Sequence, residues 1–318
     1  MDFENILKKL KENDRVTLSR VITLVDNETK EGVEFLKKFY KERKDSFRIG
    51  ITGPPGVGKS TLLNKLIERF AKKYESISIV AVDPSSPFSG GAILGDRLRM
   101  DNIYKFDNVY MRSVASRGSL GGLSSSTENI LQVLEIFGTD VIFVETVGVG
   151  QSELDVMEIT DLVVVTLVPE SGDSIQAMKA GIMEIGDIFV INKSDRDDAY
   201  KISEYIKSIL QMKYQDKELA PPVINVSAKN DTNIDELVNR IESLKEIFIQ
   251  KGIIESKRET RRKKEVREIL RDMFIKSIDM ELKIIENKNN KDVSPYEISE
   301  KILKKIDFKS LEDIWKER

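Results

Sequence analysis

The sequence predicts a doubly wound α/β domain with a mainly parallel sheet, extended by helices at both ends. Three observations predict it. Short apolar runs alternate with amphipathic stretches from Ser46 to Lys251, the rhythm of repeated βα units. Runs such as Val141-Ile142-Phe143-Val144 and Leu162-Val163-Val164-Val165 are apolar on both faces, as central strands of a covered parallel sheet must be. Residues 53–60 read Gly-Pro-Pro-Gly-Val-Gly-Lys-Ser, a complete phosphate-binding loop between a strand-like run, Phe47–Thr52, and a helical one, Thr61–Ile67.

Taken in order, residues 1–45 read as an N-terminal helical extension. Phe3, Ile6, Leu7 and Leu10 form one stripe and Val21, Ile22, Leu24 and Val25 another, with a break at Asn13-Asp14. Residues 46–251 form the nucleotide-binding domain. Its strands are expected at Arg48–Thr52, Ile77–Val82, Val109–Arg112, Val141–Glu145, Leu162–Val168, Ile188–Asn192 and Val223–Asn225, with the site at their carboxyl ends. Residues 252–318 read as a C-terminal helical region. The charge-dense run Lys257–Lys264 is expected to be a solvated helix face, the alternative being a contact with phosphates or an acidic partner. Val266, Ile269, Leu270, Met273 and Phe274 follow at i, i+3, i+4, i+7, i+8 spacing, as in a helical hairpin packed on the core or on a second subunit. Asn287–Asn290 is a polar turn, and Ser294-Pro295 opens a further helix.

Composition narrows the chemistry. The 318 residues carry a net charge of −3, which gives no bulk field for nucleic acid. There are no cysteines and no histidines, which excludes disulfides, thiolate or imidazole metal sites, and Ser-His or Cys-His catalysis. Met1–Asn5 has no signal pattern and no apolar run has membrane-spanning length, so a cytoplasmic protein is expected.

The phosphate loop comprises Gly53, Pro54, Pro55, Gly56, Val57, Gly58, Lys59 and Ser60, with Thr61 beginning the helical run. Its glycines let backbone N–H groups turn toward a phosphate, Lys59 brings a charge to the β/γ oxygens, and the Ser60 hydroxyl is a Mg²⁺ ligand. Asn192-Lys193-Ser194-Asp195 follows a strand and fits N-K-x-D, the guanine-reading sequence. A carboxylate at Asp195 accepts from guanine N1–H and the exocyclic amine, two donors that adenine lacks there. Lys193 lies over the base and Asn192 ties the loop to the phosphate loop. Ser227-Ala228-Lys229 matches the second base loop, whose backbone N–H meets guanine O6. These residues imply GTP and GDP with Mg²⁺.

Glu145-Thr146-Val147-Gly148 stands at a strand end where D-x-x-G is usual: Glu145 suits Mg²⁺ through water, and the Gly148 N–H suits the γ-phosphate. Val149 replaces the water-positioning Gln of Ras-like proteins, with Gln151 later, so slow intrinsic turnover is expected, on the order of 10⁻³ s⁻¹. Asp83, at the end of its strand, and Asp96, beyond Gly90, Gly91 and Gly95, are candidates for Mg²⁺ or its water network. Arg97 and Arg99 are candidates for pairing with these carboxylates or with phosphate, and Arg112 and Arg117, with Gly118, Gly121 and Gly122 nearby, make another basic segment expected to be mobile.

These pieces together resemble the MeaB/ArgK family, one family of the maturation-factor branch of P-loop GTPases. The resemblance rests on Gly53–Thr61, Asp83–Pro87, Gly90–Met100, Arg117–Gly122, Glu145–Glu153, Gly172–Gln176, Lys179–Ile182 and Asn192–Asp195. It implies a GTPase chaperone that gates adenosylcobalamin loading and protects an acyl-CoA mutase, usually methylmalonyl-CoA mutase, and a homodimer through the C-terminal helices. It also implies three switches, at 83–100, 147–155 and 171–186, with Lys179 entering the nucleotide site when the mutase is engaged. Without the resemblance, Lys179 reads as a solvated lysine. A metal-insertion GTPase would need His and Cys; an amino-acid-transport kinase would need adenine, which Asp195 opposes; a pure switch would need no turnover.

Overall fold

The computed structural model describes residues 1–83, 105–115, 125–146, 152–169, 181–214, 220–286 and 293–305. Among them, seven strands form one parallel sheet: β1 Phe47–Thr52, β2 Ile77–Asp83, β3 Val109–Ala115, β4 Val141–Thr146, β5 Leu162–Leu167, β6 Ile188–Ile191 and β7 Val223–Asn225. Their order is β3-β2-β4-β1-β5-β6-β7. The expected doubly wound α/β fold is therefore what the chain adopts. β1 sits in the middle, with β4 on one side and β5 on the other. The chain builds outward on one side before crossing to the other, and the carboxyl ends around β1 form the crevice that such a reversal creates.

Strand residues alternate between two cores. Ile142 and Val144 face one, while Val141 and Phe143 face the other, the period-2 pleat at work. Helices α4 (Lys59–Phe70) and α9 (Ile234–Gln250) cover the second core. The first is covered by α5 (Ser125–Phe137), α6 (Ser152–Ile159), α7 (Ile182–Ile185) and α8 (Ala199–Lys213), all helices numbered in chain order. α1 (Phe3–Lys11), α2 (Arg15–Asp26) and α3 (Lys30–Phe39) add Leu10, Leu18, Ile22 and Phe35 to this core beside α5. The break at Asn13-Asp14 has a physical cause. Asn13 takes φ of 63°, and the Asp14 carboxylate caps α2 through the Val16 N–H at 2.9 Å.

β3 runs three residues past the expected Arg112, because Ser113, Val114 and Ala115 pair in register with Ala81, Val82 and Asp83. Pairing carries the strand through a serine that interrupts the apolar pattern.

The basic run Lys257–Lys264 is not a solvated face as a whole. It lies on α10, a single 34-residue helix (Ile253–Glu286). Lys257 donates to Asp161 O at 2.8 Å and Asp187 Oδ2 at 3.2 Å, and Arg261 to Asp161 Oδ1 at 3.1 Å. Arg258 bonds Asp45 and Ser46 O, and Lys264 pairs with Glu158. These acceptors crowd the amino edge of the sheet, opposite the crevice. Behind them Arg48 of β1 is fully buried, donating to Glu135 Oε1 at 2.8 Å, Glu128 Oε2 at 2.8 Å and Ile159 O at 3.2 Å. Burial opposes its charge, but Glu128, Glu135 and Asp161 outweigh that and hold the proton more tightly than usual.

Of the apolar stripe on α10, Met273 is buried, whereas Val266, Leu270 and Phe274 are 51%, 53% and 43% exposed. Helix α11, Pro295–Lys305, opens at the expected Ser294-Pro295, where Ser294 Oγ accepts from the Glu297 N–H at 3.2 Å.

Candidate nucleotide site

β1 ends at Thr52 and delivers the chain into the phosphate loop at the centre of the crevice. Gly53 has φ of +136°, and a Cβ there would lie 2.1 Å from Thr166 O of β5. Only glycine lets the loop turn this close to the neighbouring strand. Gly58, at φ of +91°, caps α4, so the N-terminus of that helix follows directly on the loop, the end whose N–H groups and dipole favour an anion. Lys59 is buried and folds over the loop, donating from Nζ to Gly53 O at 2.6 Å and Pro54 O at 3.0 Å. The next side chain, Ser60, donates its hydroxyl to Glu145 Oε1 at 2.7 Å. A hydroxyl on the phosphate loop and a carboxylate at the end of β4 thus stand together, a pair of oxygen donors of the kind Mg²⁺ takes alongside phosphate.

The base-reading loops close on the phosphate loop through Asn192. Its Nδ2 donates to Val57 O at 2.8 Å, and its Oδ1 accepts from the Ala228 N–H at 3.1 Å. One buried amide therefore joins three loops. A Cβ on Gly58 would sit 2.6 Å from that Nδ2, a second reason for glycine there. Lys193, held at φ of 59°, donates to Gly56 O at 3.0 Å. Asp195 Oδ1 accepts the Ser227 hydroxyl at 2.5 Å, and this bond is the main reason its carboxyl is held below the ordinary range. Asp195 is thus fixed in place as an ionised, acceptor-only group. The Ala228 N–H is engaged by Asn192, and the Lys229 N–H has no hydrogen bond among the described residues.

The structure brings together residues 53–61, Glu145, Asn192, Lys193, Asp195 and Ser227–Lys229. Asp83 closes β2. Its side chain, and Asp96, Gly148, Lys179, Arg97, Arg99 and Arg117, lie outside the described residues. Arg112 lies within β3 and donates to Thr23 of α2 at 3.3 Å, away from the site.

Sequence reasoning missed a chain of small contacts behind the loop. Thr146 Oγ1 donates to Thr52 Oγ1 at 3.0 Å, and Thr52 Oγ1 donates to Glu153 O at 3.2 Å. That pins the first turn of α6 beside the phosphate loop. The Glu153 side chain is half-buried, and its Oε1 accepts no hydrogen bond among the described residues. Burial raises its proton affinity, and the charge of Lys59 opposes that rise. The signal in the sequence was only its place in Glu145–Glu153.

A parallel sheet with a phosphate loop after its central strand, a Ser–carboxylate pair and an N-K-x-D loop define a P-loop GTPase. Comparison with known proteins agrees. Residues 18–282 match the family described as Methylmalonyl Co-A mutase-associated GTPase MeaB. A Pyrococcus abyssi protein described as a GTPase is 40% identical, covering 95% of this chain and 96% of its own. The mouse protein named Methylmalonic aciduria type A homolog, mitochondrial, is 37% identical over 69% of this chain and 54% of its own. A crystal structure titled LAO/AO transport system kinase superposes with a TM-score of 0.69 at 25% identity, covering 95% of this chain and 96% of that one. The chain belongs to the MeaB family: it is a GTPase, hydrolysing GTP and binding GTP, GDP and Mg²⁺.

Proposed function

We propose that this GTPase is the chaperone of an adenosylcobalamin-dependent acyl-CoA mutase, methylmalonyl-CoA mutase in the first instance, gating cofactor loading and protecting the mutase. The observation that carries the reading is the family match over residues 18–282, whose description names that mutase. In this reading Lys59 and the α4 amides hold the phosphates, and Ser60 and Glu145, with Asp83 and Asp96, hold Mg²⁺ and its waters. Asp195, Lys193 and the Lys229 N–H read guanine. Lys179 enters the site when the mutase is engaged, and hydrolysis resets the switches at 83–100, 147–155 and 171–186. The exposed Val266, Leu270 and Phe274 on α10 support a homodimer through the C-terminal helices, since such a stripe is otherwise left in water. We assign the complex to the cytoplasm, and the 46–251 nucleotide domain to the GTP cycle between its two helical extensions.

The test is steady-state GTP and ATP hydrolysis, alone and with purified methylmalonyl-CoA mutase. Slow GTP turnover that rises at least about tenfold with the mutase, with ATP inert, is the expected outcome. GTP turnover indifferent to the mutase overturns the partner, and preferred ATP turnover overturns the guanine reading in favour of a kinase.

A further inference from the structure

We propose that Glu153 is a catalytic residue of GTP hydrolysis, its carboxylate accepting a hydrogen bond from the attacking water and then the water's proton. The proposal rests on the GTPase site described above and adds a residue to it.

Position is the first argument. Thr52 immediately precedes the phosphate loop, and its hydroxyl holds the Glu153 carbonyl at 3.2 Å. Helix α6 has no slack against β1: a Cβ on Gly50 would meet Val156 Cγ2 at 2.8 Å and Thr160 Oγ1 at 3.1 Å. Residue 153 is therefore fixed beside the loop that receives the phosphates.

Chemistry is the second. A buried carboxylate oxygen with no donor among the described residues is an expensive arrangement, and such groups concentrate where function needs them. A water presented by the terminal phosphate is a donor that would complete it. The carboxylate lies within the field of Lys59, the side chain that meets the β/γ oxygens in a phosphate loop. Glu145, by contrast, is engaged by Ser60 on the metal side. The two carboxylates thus divide the work, and Glu153 takes the part of the water-positioning Gln of Ras-like proteins, which this sequence lacks, having Val149 at that point of the motif.

The step balances without a further reactant. The water oxygen bonds to the γ-phosphorus as the bond to the β–γ bridging oxygen breaks, and GDP leaves with that electron pair. One water proton passes to the Glu153 carboxylate and from there to the inorganic phosphate. Burial makes this carboxylate a stronger base than a free glutamate, which suits proton transfer near neutral pH. Among the described residues, the other charged groups of the elements packed on α6 are placed as follows. Asp155 is on its own helix, Glu145 ends β4, and Glu184 is exposed on α7. At the far end of α6, Arg48 of β1 binds Ile159 O, Glu128 and Glu135, and Lys257, Arg258, Arg261 and Lys264 of α10 bind Asp187, Asp45, Asp161 and Glu158.

The experiment is single-turnover GTP hydrolysis by wild type, Glu153→Gln and Glu153→Ala across pH, with GTP-analogue and GDP affinities and thermal unfolding measured in parallel. Expected are a drop in kcat of roughly tenfold to a hundredfold in both variants and nucleotide affinities within about threefold of wild type. Wild-type kcat falls as pH drops through the raised pKa of Glu153, and this acid limb is missing in Glu153→Gln. The proposal is overturned if either folded variant keeps kcat within about twofold. It is equally overturned if affinity falls in step with kcat, or if the acid limb survives in Glu153→Gln. Should wild type itself turn over no GTP, the failure belongs to the GTPase reading and not to Glu153.

Discussion

Replacing Asn192 with alanine removes one side chain and unties three loops. The amide is buried and makes two bonds to backbone, accepting from the Ala228 N–H and donating to Val57 O. Both partners sit on residues at most 2% exposed, so water cannot freely replace the lost amide. Leaving a buried backbone donor or acceptor unmade costs about 1–3 kcal/mol. Taking the lower half of that range for each, because both loops border the crevice, gives a loss of roughly 2–4 kcal/mol. For a chain of this size that is a fall in Tm of roughly 5–15 °C. Affinity for GTP and GDP falls as well, since the phosphate loop and the base loops no longer hold one another. The preference for guanine over adenine persists, because Asp195 keeps its Ser227 buttress. Denaturant unfolding and competitive nucleotide binding read both quantities. A variant within about 1 kcal/mol of wild type, or one that loses its guanine preference, refutes the view of Asn192 as a tie between loops rather than a base contact.

The Asp195→Ala variant is expected to do the reverse, bringing GTP and ATP to within about tenfold of each other in competition binding while the phosphate contacts persist. Gly53→Ala is expected to abolish nucleotide binding in a filter or fluorescence assay, since its Cβ would fall 2.1 Å from Thr166 O at a φ that disfavours alanine. Ser60→Ala is expected to weaken Mg²⁺-dependent GTP binding, read as a loss of the difference in affinity with and without Mg²⁺.

Much of this was legible in the sequence because the deciding residues are neighbours in the chain. The phosphate loop is one uninterrupted run, N-K-x-D another, and the apolar strands declare themselves by composition. What stayed hidden depends on distance. Arg48 reads as an oddity in an apolar strand, and its partners Glu128 and Glu135 lie 80 and 87 residues away. Lys257–Lys264 has the same charge density whether solvated or clamped to a sheet edge, and only Asp161 and Asp187 in space decide the matter. The stripe on α10 mixes one buried methionine with three exposed residues, because helical spacing marks a face without saying what covers it. Glu153 escaped for a related reason: an oxygen without a partner is a fact of three dimensions.

The hidden part shows how the site is anchored. α6 starts at the phosphate loop, where Thr52 holds Glu153 O, and ends at the opposite edge of the sheet, where Arg48 holds Ile159 O and Arg261 holds Glu158 O at 3.1 Å. The same Arg48 belongs to β1, the strand that feeds the phosphate loop. Its guanidinium is therefore the fixed point for the strand, for α5 through Glu128 and Glu135, and for the last turn of α6. Replacing it with methionine leaves those carboxylates buried without their cation, a change that costs about 3–5 kcal/mol in comparable pairs. Arg261 moderates the loss. It stands half-buried beside Arg48, and both desolvation and that like charge hold its proton affinity down, so removing Arg48 relieves it and lets it serve Asp161 and Glu128. The lower end of the range, about 3 kcal/mol, is thus the expected destabilisation. Adding Glu128→Gln and Glu135→Gln to Arg48→Met should restore part of it, because the uncompensated charges are then gone. Denaturant unfolding of the single and triple variants decides the point. A single variant as stable as wild type, or a triple variant no better than the single, would mean that packing and not charge holds this edge of the sheet.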